Sequence, residues 1–249
     1  FRLEGAGAGL HARLVVEASG RGAPATAGLG AERRWVSVDR QVGLLVDLPA
    51  TGRDPGAELL LESERHGWWY SVPQPTGRLR CVWLTDADLL PVGGKEALER
   101  AFREALARAP HTSRWLEGQT LPRPRIIRAD TGFLLPPRGR DWWALGDAAL
   151  GGDPLEGSGL ERALGGALEV LPELLVRLEG APVQASPEPW PRLSAFLRAR
   201  AEAYGRERRW PESRYWARRG GTGNPDAEAF GLAPDEVLAF AGGSSEALD

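Results

Sequence analysis

The sequence predicts an α/β fold of the α+β kind, and three observations carry that prediction. A short apolar run, Trp142 to Leu145, breaks at Gly146-Asp147 and is followed by leucines at helical spacing, which indicates a strand, a turn and a helix. Strand-like segments between residues 33 and 122 are separated by turn signals, as in an antiparallel sheet. A further amphipathic helix is predicted from Leu193 to about Arg208.

Composition favours a globular protein and excludes several functional classes. The 249 residues carry 31 basic and 34 acidic side chains, a net charge of −3, so no attraction to nucleic acid is expected. No apolar run approaches the roughly 18 residues of a membrane span, and no signal peptide is visible, so we expect a cytoplasmic protein. Cys81 is the single cysteine and the three histidines are isolated, so we predict no disulfide and no metal site.

The N-terminal residues predict strands and a turn. The glycines of residues 5–10 lack the G-x-G-x-x-G spacing of a dinucleotide fingerprint, and they predict a hairpin loop. The β-branched run that begins at Ala12 predicts a strand, and the small residues Ser19-Gly20 before Arg21 predict a turn at its end.

The region from residue 33 to residue 122 predicts an antiparallel sheet with one helix, from about Gly94 to Ala109. Within the sheet, Trp68, Trp69 and Tyr70 are adjacent, and strand alternation places two of these rings on one face. They fit either a well-packed sheet face or the wall of an aromatic substrate pocket. The residues alone leave both interpretations open.

The segment from Gly146 to Leu160 has the order of features that holds a polar cofactor at the positive end of a helix. Asp147 directly follows the strand and can accept hydrogen bonds from a diol such as a ribityl chain. Asp153 predicts a helix N-cap, and Gly157 would let a flat ring approach the first turn. The apolar face predicted for this helix consists of Leu160, Leu164, Leu168, Leu171 and Leu175. Tight packing alone could also explain the glycines.

The pattern Gly-Asp-Ala-Ala, a short gap and Asp-Pro-Leu-Glu-Gly-Ser-Gly-Leu resembles the second flavin-binding motif of FAD-dependent monooxygenases of the p-hydroxybenzoate hydroxylase type. This resemblance implies FAD as the cofactor, with Asp147 on the ribityl chain and the helix N-terminus at the pyrimidine edge of the ring. The Ser-Gly turn resembles that of the halogenase-like and reductase-like branches, near the cofactor pyrophosphate. The implied cofactor-binding residues are Gly146, Asp147, Ala148, Asp153, Pro154, Gly157, Ser158, Gly159, Leu160, Ser19, Gly20 and Arg21.

A second resemblance lies in the predicted sheet. Gly-Trp-Trp-Tyr-Ser-Val-Pro resembles the Gly-Trp-x-Trp-x-Ile-Pro stretch of tryptophan halogenases, and Trp68, Tyr70 and Pro73 would then line a substrate pocket. Tyr70 and Val72 differ from the halogenase pattern. Arginines and aromatics between residues 207 and 219 resemble the C-terminal part of halogenase-like flavoproteins.

These resemblances imply the C-terminal part of a FAD-binding Rossmann-like domain with an inserted antiparallel-sheet substrate domain and C-terminal helices. The predicted segments are FAD-domain strands with the Ser-Gly turn (1–32), the sheet domain (33–122), the FAD domain with the Gly-Asp motif and long helix (123–181), a helical segment (182–219) and a flexible tail (220–249).

We therefore expect an FAD-dependent monooxygenase that acts on an electron-rich aromatic substrate, such as tryptophan or peptidyl tryptophan. It would work with a flavin reductase or NAD(P)H. Two alternatives stay open: a tryptophan-type flavin halogenase, and a truncated or degenerate flavin-fold protein without activity of its own. No catalytic residue is assigned, because the cofactor carries the chemistry in such enzymes.

Overall fold

A computed structural model of the chain describes residues 2–3, 10–22, 34–50, 58–181 and 190–220. In this part of the chain the β-strands are β1 (Arg2–Leu3), β2 (Leu10–His11), β3 (Val15–Glu17), β4 (Arg34–Ser37), β5 (Gln41–Pro49), β6 (Leu60–Glu64), β7 (Gly67–Gln74), β8 (Arg78–Asp86), β9 (Arg125–Arg128), β10 (Gly132–Leu135), β11 (Trp142–Ala144) and β12 (Leu150–Gly151). The α-helices are α1 (Gly94–Ala107), α2 (Pro110–Trp115), α3 (Gly159–Leu178), α4 (Trp190–Gly205) and α5 (Arg214–Gly220). The loop predicted at residues 5–10 lies outside the described residues except for Leu10. The tail predicted at residues 220–249 lies outside them except for Gly220.

The chain divides into two compact units. Among the described residues, the first unit holds those up to Val38 and those from Asp130 to Pro191, and we call it the motif unit. The second holds Asp39–Ala129 and the described residues from Arg192 onward, and we call it the sheet unit. The sheet unit extends beyond the predicted boundary at residue 122, because β9 pairs with β5 in its sheet.

The motif unit is built on short strands that meet around one apolar cluster. Strands β3 and β11 pair in parallel, with Trp142 opposite Val15 and Ala144 opposite Glu17. Strand β10, which the sequence did not predict, pairs with β4 and β12 on either side. The cluster between these strands consists of Leu134, Trp142, Ala144 and Ala148, with Val15, Trp35 and Ala149 packed against it.

The long helix of the motif unit starts later than its sequence predicts. Asp153 caps a 3-10 turn, Pro154–Glu156, by accepting a hydrogen bond of 2.9 Å from the Leu155 amide. Gly157 then takes a left-handed conformation (φ 69°), and α3 begins only at Gly159. The predicted N-cap role of Asp153 therefore belongs to the short turn and not to the long helix.

The apolar face of α3 is present, but in this structure it is exposed. Its five predicted leucines are exposed by 75%, 60%, 72%, 46% and 51% in chain order. Helical periodicity identified the stripe correctly, whereas burial depends on a partner surface that no described residue supplies.

The sheet unit confirms the predicted antiparallel sheet, in the strand order β6-β7-β8-β5-β9. Strands β4 and β5 are separated by a turn, in which the Asp39 carboxylate accepts the Gln41 amide at 2.9 Å. One face of the sheet packs against α1: Trp69 is fully buried, with its ring centroid 5.0 Å from that of Phe102. Full burial of a side chain such as Phe102 contributes about 1.5–3 kcal/mol.

The opposite face of the sheet carries polar side chains that bind the C-terminal helices. Trp68 donates its indole N–H to the Tyr204 hydroxyl at 3.1 Å, and the Tyr215 hydroxyl donates to Gln41 at 2.6 Å. Arg200 of α4 pairs with Asp39 of the same unit. Because these groups are nearly fully buried, their pairing is what makes the burial tolerable.

No helix within the described residues is both long enough and apolar enough to cross a membrane.

Candidate cofactor site

The parallel pairing of β3 and β11 brings two loop segments to one sheet edge. The Leu145 amide donates to the Glu17 carbonyl at 2.9 Å, and the Gly-Asp motif follows immediately. Gly146 has φ 56°, and a Cβ at this position would lie 3.1 Å from the Ala163 Cβ of α3. The turn and the approach of the helix therefore both favour glycine at this position. In α/β proteins polar ligands bind at this edge, the carboxyl ends of the strands.

Asp147 lies at this edge beside two guanidinium groups. Its Oδ2 is 3.2 Å from Arg21 Nε, and its Oδ1 is 3.8 Å from Arg162 Nη2. The Asp147 side chain is 37% exposed. A carboxylate offers about four acceptor positions, so Asp147 can still accept a ligand hydroxyl while paired with Arg21.

Arg21 connects three separate segments of the motif unit. Besides its contact with Asp147, it donates to the backbone carbonyls of Asp130 at 2.5 Å and Gly152 at 2.6 Å. The Asp130 carboxylate in turn accepts from Trp35 Nε1 at 3.2 Å and from the Ser37 hydroxyl at 3.0 Å. Arg21 therefore holds together the segments that carry Asp130, Asp147 and Gly152, and we call these contacts at the carboxyl ends of β3 and β11 the site edge. Its guanidinium is already engaged by protein oxygens.

The N-terminus of α3 offers backbone donors beside open space. The first hydrogen bond of the helix runs from the Arg162 amide to the Ser158 carbonyl at 2.9 Å, so the amides of residues 159–161 precede it. Ser158 makes no side-chain capping bond, and its hydroxyl accepts from Arg162 Nη1 at 3.0 Å. A Cβ on Gly157 would meet no atom of the described residues within 4 Å. The residues present therefore fit a flavin: an acceptor for ribityl hydroxyls, amides for an anionic ring edge, and free space beside them.

The structure does not give every predicted cofactor residue the same access to a ligand. Ala148 is fully buried in the apolar cluster, so only its backbone could contact a ligand. Asp153 is 3% exposed and already caps its turn, whereas the Leu160 side chain is 75% exposed. Arg21 and Asp147 are brought into direct contact. The cofactor roles of these five residues stay predictions, as do those of Gly146, Pro154, Gly157, Ser158, Gly159, Ser19 and Gly20.

The predicted substrate-pocket residues lie on β7 of the sheet unit, and they do not share one face. Trp68 and Tyr70 lie on the same face, with ring centroids 6.0 Å apart, whereas alternation places Pro73 on the other. Trp68 is 3% exposed, while Tyr70 is half-buried, and burial raises the pKa of its hydroxyl. The pocket role of these three residues stays a prediction.

Sequence patterns did not identify three further polar residues of the site edge. Glu17, Asp130 and Arg162 are single charged residues without a motif, and their partners lie far away in the sequence or depend on the helix start. The one available signal was the position of Glu17 at the end of a predicted strand, next to the Ser-Gly turn.

Comparison with known proteins relates the chain to flavoproteins. No protein-family profile matches it. LodB of Marinomonas mediterranea, which carries the name "putative FAD-dependent oxidoreductase", is 25% identical to the chain over 209 residues. The matched region covers 82% of this chain and 55% of LodB. The solved structure of QhpG, a peptidyl tryptophan dihydroxylase essential for tryptophylquinone cofactor biogenesis, is 27% identical with a TM-score of 0.66, covering 88% of this chain and 51% of QhpG.

A halogenase structure extends the comparison. CmlS, a flavin-dependent halogenase, is 18% identical with a TM-score of 0.72, over 92% of this chain and 44% of CmlS. The chain thus spans about half the length of these proteins. These likenesses confirm the predicted fold: the chain has the mixed α/β fold that flavin-dependent halogenases share with the peptidyl tryptophan dihydroxylase.

Proposed function

We propose that this chain carries the flavin-facing part of an FAD-dependent oxidoreductase that oxygenates an electron-rich aromatic substrate. The observation that carries the proposal is the edge where Asp147 and the open N-terminus of α3 lie close to the carboxyl end of β3. Sequence likeness to LodB and QhpG, one named for FAD and the other for dihydroxylation of peptidyl tryptophan, supports both the cofactor and the reaction type.

The residues of the motif unit would bind and orient the cofactor. Asp147 would accept hydrogen bonds from ribityl hydroxyls, and the first amides of α3 would stabilise negative charge on the ring edge that faces them. Gly157 leaves room for the ring, and Arg21 holds the site edge together. When bound, reduced FAD supplies the electrons and activates oxygen.

For the substrate we propose peptidyl tryptophan before free tryptophan. QhpG, a peptidyl tryptophan dihydroxylase, is 27% identical to the chain, above the 18% of the halogenase CmlS. A flavin reductase or NAD(P)H would supply reducing equivalents. Halogenation stays an alternative, which a reaction assay with and without halide distinguishes from oxygenation. The predicted cytoplasmic location also stays a prediction.

FAD binding is tested by titrating the full chain with FAD and following flavin absorbance and fluorescence. Asp147→Ala should weaken binding about 10-fold to 100-fold, since loss of a charge-assisted hydrogen bond costs about 1.5–3 kcal/mol. Asp141→Ala is the matched control, because Asp141 also pairs with an arginine, Arg177, at 2.6 Å but directly precedes β11, at the end opposite the Gly-Asp motif. Its affinity should stay close to wild type.

Absence of FAD uptake by the wild-type chain, or equal losses in both variants, would contradict the cofactor assignment. The reaction is tested with reduced FAD, oxygen and either free tryptophan or a tryptophan-containing peptide, with and without halide. We expect oxygen to be added to the peptide. Halogen added only when halide is present would identify a halogenase instead.

A further inference from the structure

Glu17 is a buried carboxylate whose position is not explained by stability. Its side chain is 2% exposed, at the last residue of β3. It lies on the same strand face as Val15, which packs against the apolar cluster of the motif unit. Its Oε2 is buried and has no hydrogen-bond partner within the described part of the chain. Such an unsatisfied oxygen costs about 1–3 kcal/mol, so a functional reason for the residue is expected.

The other oxygen of Glu17 closes the turn that carries Arg21. Oε1 accepts the Ser19 amide at 2.7 Å and also the Ser19 hydroxyl. The chain then passes through Gly20, at φ 90°, to Arg21. Because only one residue separates Ser19 from Arg21, the carboxylate fixes the direction in which the arginine leaves the turn.

Arg21 transmits this position to the Gly-Asp motif. Its guanidinium contacts Asp147 at 3.2 Å and the Gly152 carbonyl at 2.6 Å. The backbone gives a second link between the same elements, since the Leu145 amide donates to the Glu17 carbonyl at 2.9 Å. Glu17 is thus connected to Asp147 through its side chain and through the parallel strand pair.

We propose that Glu17 is a positioning residue of the site edge, which acts through the Ser19–Arg21 turn to hold Arg21 against Asp147. The link from Glu17 to flavin affinity rests on the proposed function. The mechanical link from Glu17 to the Gly-Asp turn does not, so the two can be tested separately.

The mechanical link is tested by hydrogen exchange of peptides that cover Gly146–Ala149, without added FAD. Glu17→Ala and Arg21→Ala should each raise exchange about 10-fold, since loss of about 1.4 kcal/mol of local stability corresponds to that factor. The double variant should exchange no faster than Arg21→Ala alone, because Glu17 acts on the Gly-Asp turn through Arg21. Unchanged exchange in Glu17→Ala, or multiplied effects in the double variant, would overturn the proposal.

A conservative variant separates positioning from charge. Glu17→Gln keeps an acceptor for Ser19, so exchange at the Gly-Asp turn and FAD affinity should stay within about 3-fold of wild type, whereas Glu17→Ala should weaken FAD binding about 10-fold. Glu179→Ala, at an exposed acid that ends α3 on the side away from its N-terminus, is the control and should leave both quantities unchanged. If Glu17→Gln exchanges as fast as Glu17→Ala, positioning through Ser19 is wrong. If wild type takes up no FAD, the proposed function fails and the exchange result still decides the role of Glu17.

Discussion

Arg219 and Asp86, which are 133 residues apart in the sequence, form an ion pair of which only 1% of each side chain is exposed. Both guanidinium ends reach the carboxylate, at 2.5 and 3.1 Å, and the guanidinium carbon lies 4.0 Å from the Tyr215 ring centroid. The pair fixes α5 to the end of β8. Desolvation and attraction nearly balance in such a pair, so its main effect is to make this packing arrangement specific.

Removal of one partner should therefore be costly. Arg219→Ala removes two charge-assisted hydrogen bonds from the buried Asp86, which keeps its contact with Arg218 at 3.0 Å. The substitution should lower the unfolding free energy by about 1.5–3 kcal/mol, measured by urea denaturation. Arg206→Ala is the control, since Arg206 pairs with Glu202 on the surface with 77% and 72% of the side chains exposed. That substitution should cost less than about 1 kcal/mol. Similar losses in the two variants would argue against the buried pair as the anchor of α5.

The Tyr204 hydroxyl should matter more for stability than that of Tyr70. Tyr204→Phe removes the acceptor of the Trp68 indole N–H, at 3.1 Å, and leaves that buried donor unsatisfied. The expected loss is about 1–3 kcal/mol of unfolding free energy. Tyr70 is half-buried, and its contact with Trp68 is between rings, so Tyr70→Phe should leave the midpoint of thermal unfolding nearly unchanged. A larger loss in Tyr70→Phe would show that its hydroxyl has a structural partner.

The elements that sequence predicted well are those encoded locally. Trp142 to Ala144 is an apolar run bounded by a glycine, and the hairpin strands around Trp69 alternate and end at turn residues, so neighbours in sequence suffice to identify them. The long helix was found for the same reason, from its leucine spacing.

The sequence did not predict features that depend on residues far away in the chain. Arg21 meets Asp130, Asp147 and Gly152 across 109 to 131 residues, and no local pattern encodes such contacts. The late start of α3 depends on the left-handed conformation of Gly157, which competes with the cap signal of Asp153. Periodicity also cannot show whether a partner covers the α3 leucines.

The exposed face of α3 should bind hydrophobic probes. Leu164 and Leu168 are 60% and 72% exposed one helical turn apart, within a continuous apolar stripe. The double variant Leu164→Gln with Leu168→Gln should lower the fluorescence of the dye ANS and reduce concentration-dependent self-association, measured by light scattering. Stability should change by less than about 0.5 kcal/mol per site. Leu61→Gln, at a leucine of β6 that lies outside the α3 stripe and is 51% exposed, is the control and should leave ANS binding nearly unchanged.

Glu207 should make stability depend on pH in the acid range. Hydrogen bonds from Arg209 lower the pKa of Glu207 from its usual 4.5 to about 2. The same carboxylate accepts the Ser63 hydroxyl of β6 at 2.7 Å, so its charge stabilises the contact between the end of α4 and the sheet. A pKa that is lower in the folded state gives a stabilisation that is present above the unfolded value and is lost as the pH falls through the folded one.

The unfolding free energy of wild type should therefore exceed that of Glu207→Gln above pH 4.5, and the difference should shrink as the pH falls toward about 2. Urea denaturation at a series of pH values measures this difference. Glu202→Gln, which alters the exposed pair with Arg206, is the control and should show a smaller difference at neutral pH, because solvent and salt screen that pair. A difference for Glu207→Gln that stays constant throughout the acid range would show that the carboxylate charge does not hold the contact with Ser63.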